Sequence, residues 1–534
     1  MSESAARSRL LDGESCLGIE LGSTRIKACL IDSQDATVLA VGAHQWANEL
    51  VDGYWTYSLD AVRHGLQQAY AALAEDCRLR HGAAPTSIAA VGVSAMMHGY
   101  LVFDDDGEQL VPFRTWRNTT TGAAAERLST ELGVNIPQRW SVAHLFQAAL
   151  DGEAHVPRIR SVTTLAGYVH HLLTGKNVLG AGDASGMFPL NAAGTDYDAA
   201  AAERVDALLA ARGVARPLRS LLPSVRAAGQ DAGNLTAAGA ALLDPTGELR
   251  PGALACPPEG DAGTGMVATG ALAPRTGNVS VGTSTFAMVV LEQPLAHARA
   301  EIDVVATPIG DPVAMVHCNN GASDLADWVA LLREWAAAAG APIDADAAFA
   351  ALLDGADHGA DHGAADAGGL MVYNLTAGEP VVGAAGGWGL FTRGADSRLA
   401  LAEFARAQVF GIFAPLSLGM RMLAADGVRW ERLFAHGGLF RTPGPAQRLL
   451  AAALGVPVTV ARTASEGGAW GIAVLAAYRV SGDGQSLDAF VRSRAFAAID
   501  SVTAEPAPAD VAGYDAFVSR YRAGLEWAGT ASYS

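Results

Sequence analysis

The stretch LGIELGSTRIKACLID, Leu17 to Asp32, alternates apolar with polar or small residues on either side of Gly22-Ser23-Thr24, which reads as two antiparallel strands joined by a tight turn. Glycine permits the backbone geometry such a turn demands. A third strand is expected near Val38 to Ala43, a helix from Ser58 to about Arg80, and a strand over Ala89 to Ser94. A second hairpin, NVSVGTSTFAMVVL from Asn278 to Leu291, can be laid on the first with its turn Gly282-Thr283-Ser284 matched to Gly22-Ser23-Thr24. That repetition implies an internal duplication in a mixed α/β chain whose halves meet between Gly263 and Gly277. Helices over Leu401 to Ala424 and Pro445 to Leu454 flank the pair Gly437-Gly438, and a last apolar helix begins near Glu466.

A chain of 534 residues, half of them apolar, is long enough for at least two cores. With 37 basic against 55 acidic residues and a net charge of −18, a general nucleic-acid surface is disfavoured, so an anionic ligand must be held by local features. The opening MSESAARSRLLDGES is polar and lacks the apolar core of a signal peptide, and no uninterrupted apolar run approaches the ~18 residues of a membrane span. A cytoplasmic protein that engages neither membrane nor nucleic acid is the expectation. The 5 cysteines are scattered and read as reduced, packed thiols.

Small residues in a tight turn leave backbone N–H groups open to an anion, so both hairpin turns are candidate phosphate binders. No Walker A string is present: Gly175-Lys176 is followed by Asn177 and lacks the preceding glycine. The string Gly263 to Ala268 matches G-x-G-x-x-A, but the preceding CPPEGD is a poor strand, which argues against a dinucleotide site. In PPEGDAGTG, Asp261 sits among small residues where a carboxylate can reach a bound hydroxyl, and a helix-capping Asp is the plainer reading of the same string. The run GADHGADHGAADAGG, Gly355 to Gly369, reads as a solvated insertion, its glycines interrupting any helix that would align His358 with His362. His170 and His171 fall in an apparent helix and read as structural.

The strings LGIELGSTRIKACLID, SAMMHGYLVFD, RTWRNT, GDASGMFPLN, EGDAGTG, NVSVGTST, HGGLFRTP and EGGAWGIAVLAA follow one another in an order that resembles the FGGY carbohydrate kinases over nearly the whole chain. The resemblance implies two ribonuclease H-like domains of the actin and hexokinase type with a central cleft. These are expected over residues 1–262, with the sugar and first phosphate loop, and 263–534, with the second phosphate loop and adenosine site. It also implies ATP and Mg2+ as cofactors and transfer of phosphate to a sugar hydroxyl.

Carried over by position, Asp261 resembles the catalytic aspartate. Met97, His98 and Gly99 resemble the sugar-contacting M-H-G of xylulose kinases, and Trp116 the family's tryptophan against the sugar. Gly22, Ser23 and Thr24, with Lys27 nearby, look like the first phosphate loop; Gly282, Thr283 and Ser284 look like the second, and Gly437 and Gly438 like the turn under the adenosine. Glu20 stands where the family usually has the Asp that holds magnesium together with Asp261. Glutamate keeps the charge, so magnesium binding with altered geometry is expected. Near Asn118 the family more often carries an acidic residue. A ketopentose such as xylulose is the implied acceptor, with ribulose or another ketose or polyol as alternatives and a homodimer left open. An actin- or chaperone-type ATPase without a sugar substrate is the alternative from another class.

Overall fold

The first hairpin pairs Ser15–Leu21 antiparallel with Arg25–Asp32, setting Glu20 opposite Lys27, in a computed structural model that describes residues 3–358, 365–384, 386–442, 444–461, 467–497 and 499–528. Val38–Gln45 extends this sheet on one side, and Ala90–Ala95 joins Ser15–Leu21 in parallel on the other. Beyond Ala90–Ala95 lie the short strands Leu254–Ala255 and Glu259–Gly260. Helix Leu59–His81 starts at Ser58, whose hydroxyl accepts from the Ala61 amide, and ends at Gly82 in the left-handed region.

Two glycines set how closely helices lie on this sheet. A Cβ at Gly42 would fall 2.2 Å from the Ala69 carbonyl oxygen of helix Leu59–His81, and one at Gly18 would fall 2.1 Å from the Ala469 carbonyl oxygen of helix Gly467–Ser481. Any larger residue would push a helix off its strand.

The second hairpin pairs Thr276–Val281 with Thr285–Val290 antiparallel. It lies inside a seven-stranded sheet in the order Ile302–Ala306, Pro312–Cys318, Thr285–Val290, Thr276–Val281, Arg432–His436, Val458–Ala461, Ser501–Ala504. Thr276–Val281 runs parallel to Arg432–His436. Leu401–Ala425 is, among the described residues, the helix apolar and long enough to cross a membrane; 78% of its most apolar window is buried, and it carries the fully buried Glu403 and Arg406. It is the core helix of its unit.

The chain forms two compact units, Met1–Leu272 with Val304–Val313 and Ser465–Ile499, and Ala273–Asp303 with Ala314–Ala464 and Asp500–Ser534. A boundary between 262 and 263 would cut helix Asp261–Thr269, which packs on helix Gly467–Ser481 and therefore stays with the first unit. Two later segments return to that unit, so neither half is one continuous stretch. The Asp-His run also differs from expectation where it is described: helix Ala345–His358 continues through Gly355, buries Ala356, and pairs Asp357 with Arg448. Residues 359–364, with His362, lie outside the described residues. A further helix, Pro508–Ala528, buries Tyr514, Phe517, Val518 and Tyr521 on one stripe. All five cysteines are buried and free.

Gly18→Ala should lower the unfolding free energy by about 1–3 kcal/mol through overpacking. Gly355→Ala, in a helix where the nearest outside atom is 4.0 Å away, should instead leave stability unchanged or raise it by up to about 1 kcal/mol. Urea denaturation of the two variants checks the contrast.

Candidate active site

Asp261 is the first residue of helix Asp261–Thr269, directly after the strand Glu259–Gly260, whose pairing with Ser94 and Ala95 brings it beside the end of Ala90–Ala95. Its Oδ1 accepts from the Met97 amide at 3.1 Å and from the Ala262 amide at 3.1 Å. The residue is open to solvent, yet protein crowds its carboxylate enough that desolvation raises its pKa above the ordinary aspartate value, against the lowering effect of those two amides. A carboxylate held at one oxygen, with raised proton affinity, is suited to accept a proton at the other.

The Met97 amide that binds Asp261 begins the M-H-G turn. His98 has φ +69 and Gly99 φ +94, where a Cβ at Gly99 would meet the Phe113 ring at 2.7 Å. The buried His98 ring stacks near Trp140 and places Nδ1 3.1 Å from the Gly186 carbonyl oxygen. Trp116 is 40% exposed, so core packing does not account for it. Asn118 turns inward: it accepts from the Trp55 amide at 2.8 Å and donates to the Trp55 carbonyl at 2.9 Å, which makes it an anchor of the Trp116 loop.

In the turn Gly22-Ser23-Thr24 the carbonyls are occupied: Gly22 accepts from the Trp46 indole at 2.7 Å, Ser23 from the Tyr57 hydroxyl at 2.7 Å, and Thr24 from the Trp46 amide at 3.2 Å. Trp46 and Tyr57 stack on each other at 4.2 Å. With its carbonyls tied down by this aromatic pair and the Gly22 amide committed to the Arg25 carbonyl at 2.9 Å, the turn is rigid enough to present the Ser23 and Thr24 amides to an anion. Lys27 approaches Glu20 at 3.9 Å. The Glu20 carboxylate lies over Gly468, where a Cβ would be 2.4 Å from Glu20 Oε1 and 2.9 Å from Thr264 Oγ1, and the Thr264 hydroxyl donates to the Asp261 carbonyl. Glu20 and the Asp261 helix thus border the same few atoms.

In the second unit, Gly282 and Thr283 line a cavity of about 1000 Å³ together with Gly438, Leu439 and Arg441. Gly437 has φ +110, and a Cβ there would be 2.3 Å from the Val281 carbonyl oxygen, so only glycine lets the two strand ends lie side by side. Helices Ser323–Ala338 and Ala345–His358 supply the opposite wall, including Arg333 and Phe349.

Two carboxylates beneath Asp261 escaped the sequence reading. Glu259 is 1% exposed and accepts from the Gly182 and Asp183 amides at 3.3 and 2.9 Å. Asp183 is fully buried, accepts from the Thr164 hydroxyl at 2.6 Å, and has no partner for Oδ1 among the described residues. Burial, reinforced by like charge, pushes Glu259 up to about 8 and Asp183 up to about 7. An acidic residue inside each of the small-residue strings GDASG and PPEGD was the available signal.

The family model for the N-terminal domain of FGGY carbohydrate kinases matches residues 15–245, and that for the C-terminal domain matches residues 277–480. The chain belongs to the FGGY family of carbohydrate kinases. It is accordingly an ATP-dependent carbohydrate kinase with the two-domain fold of the actin and hexokinase type. A xylulose kinase structure from Rhodospirillum rubrum matches with TM-score 0.77 at 22% identity, covering 97% of this chain and 100% of that one. A Brucella ovis structure described as a xyloylose kinase gives 0.76 at 19%, covering 97% and 99%, and a gluconate kinase from Lactobacillus acidophilus gives 0.76 at 18%, also covering 97% and 99%. At these identities the likeness concerns the fold. No curated protein sequence matches the chain.

Within this FGGY kinase the buried pair makes a stability prediction. Both folded-state pKa values lie above the ordinary carboxylate range of about 4, so the pair's contribution is complete below that range and is lost as pH rises toward 7–8. The urea midpoint should therefore fall between about pH 5 and 8. Glu259→Gln, a neutral isostere, should flatten that fall.

Proposed function

We propose that this kinase transfers the γ-phosphoryl group of ATP to a hydroxyl of a ketopentose such as xylulose, with Asp261 as the base that takes the hydroxyl proton. The observation that carries the reading is the hydrogen bond from the Met97 amide to Asp261 Oδ1, which ties the carboxylate to the M-H-G turn. Under this reading Met97, His98, Gly99 and Trp116 contact the sugar. The buried, backbone-bonded His98 gives it a fixed wall, and the exposed Trp116 an apolar ring face.

Phosphoryl transfer asks the protein mainly to position reactants and to meet charge developing on the phosphoryl oxygens. The amides of Ser23 and Thr24 with the Lys27 ammonium in the first unit, and those of Thr283 and Ser284 in the second, are suited to that role, while Gly22 and Gly282, whose amides are taken by the Arg25 and Ser284 carbonyls at 2.9 Å, keep the approach free of side chains. The cavity beside Gly437 and Gly438 accepts the adenosine. Glu20 and Asp261 offer hard oxygen donors on neighbouring elements, a donor set that fits Mg2+. When bound, the ion supplies neutralisation of phosphate charge. Asp261 Oδ2, opposite the amide-bound Oδ1, takes the proton as the sugar oxygen attacks. ATP as co-substrate is consistent with a reaction in the cytoplasm.

Asp261→Asn should lower sugar-dependent ADP release by about 10²- to 10⁴-fold while sugar binding persists in calorimetry. Near-normal turnover would reject the base assignment. A panel of ketoses and polyols, ribulose among them, fixes the acceptor; ATP turnover indifferent to every sugar would favour an ATPase without a small-molecule acceptor.

A further inference from the structure

The loop that carries Trp116 holds a cation that the reaction outlined above does not use. Its turn is fixed from below: the Thr115 amide donates to the Trp55 carbonyl at 3.2 Å, Asn118 grips both backbone groups of Trp55, and the Asn118 amide returns to the Thr115 carbonyl at 3.1 Å. On this base the Arg117 guanidinium stacks 4.4 Å above the Trp55 ring. Arg117 is exposed, and no carboxylate among the described residues pairs with it. Arg114, three residues earlier, is the contrast: it is buried, lies over the Tyr54 ring, and is neutralised by both oxygens of Glu153.

The loop's place in the site is set by its other end. Tyr100 and Arg114 bridge backbone to backbone, at 2.8 and 3.1 Å, directly after the M-H-G turn whose Met97 amide binds Asp261. The charge of Arg117 also reaches the Tyr57 hydroxyl, which donates to Ser23 of the first glycine turn. A guanidinium stacked on an indole keeps its N–H edge free and loses little conformational freedom on binding a planar anion. In a chain of net charge −18, an unpaired cation fixed beside the acceptor loop is out of keeping with its surroundings.

We propose that Arg117 receives an anionic group on the acceptor, so that the preferred substrate is a charged sugar. This inference rests on the Asp261 sugar-kinase reading above and departs from it in one respect, replacing the neutral ketopentose by an anionic sugar as the preferred acceptor. The anion is a sugar-acid carboxylate or a sugar-phosphate ester, either of which a guanidinium can meet with two parallel hydrogen bonds. The neutral ketopentose then becomes the weaker acceptor.

The test compares a ketose with the acid and the phosphate ester of the same carbon chain, for the full-length protein and for Arg117→Gln and Arg117→Lys. Dissociation constants come from calorimetry and kcat/KM from coupled ADP release. One anionic member should exceed the neutral sugar at least about tenfold at low salt, and that preference should shrink as salt rises. Which member does so separates carboxylate from phosphate. Arg117→Gln should collapse the ratio toward one, and Arg117→Lys should retain part of it. A wild-type preference for the neutral sugar, or a ratio unchanged in Arg117→Gln, overturns the proposal. So does an equal rise in KM for ATP with every acceptor, which would assign the cation to the nucleotide. Absence of turnover with all acceptors would sink the kinase reading, while the ratio of dissociation constants still decides Arg117.

Discussion

The hydrogen bond from the Met97 amide to Asp261 joins parts of the chain that lie far apart in sequence, and the candidate chemistry depends on it. On one side is the end of strand Ala90–Ala95 with the sharply turned His98-Gly99; on the other is the first residue of helix Asp261–Thr269. The register of Glu259–Gly260 against Ser94 and Ala95 makes the bond possible, since a slip of one residue would aim Asp261 to the opposite side of the strand. Helix Gly467–Ser481 then packs on Asp261–Thr269 and brings Gly468 under Glu20. The carboxylates proposed for proton transfer, Asp261, and for a metal, Glu20, are held by the same packing.

The buried acids beneath this arrangement explain why the short helix Ala181–Ser185 and its flanking Gly180 and Gly186 are so rich in small residues. Glu259 fills the space that a Cβ at Gly180 or Gly182 would need, 2.1 and 2.4 Å from its oxygens, and takes two backbone amides there. The end of that helix presents the Gly186 carbonyl to His98. The acids thus organise the ground on which His98 stands, at the cost of keeping carboxyl groups where water cannot solvate their charge.

Much of this was legible in the residues. The hairpins followed from alternation around small-residue turns, and the matched second turn does share a cavity wall with Gly438. The interleaving of the units was hidden because it depends on close approach at Gly18 and Gly42, and a glycine in a strand looks the same whether it faces a helix or water. Asn118, near which the family more often carries an acidic residue, has both ends of its amide claimed by the backbone groups of Trp55, which only the fold reveals. The helix Pro508–Ala528 carries its readable stripe at Tyr514, Phe517, Val518 and Tyr521, at helical spacing. Asp183 and Glu259 needed the fold, since only packing reveals that a glycine-flanked acid is sealed from solvent.

The central claim is that Asp261 faces the reacting hydroxyl. A crystal structure with a non-hydrolysable ATP analogue and the preferred sugar tests it most directly. The account predicts one sugar hydroxyl within hydrogen-bonding distance of Asp261 Oδ2, with the Met97 bond to Oδ1 intact. A bound sugar whose hydroxyls all lie beyond reach of Asp261 would contradict it.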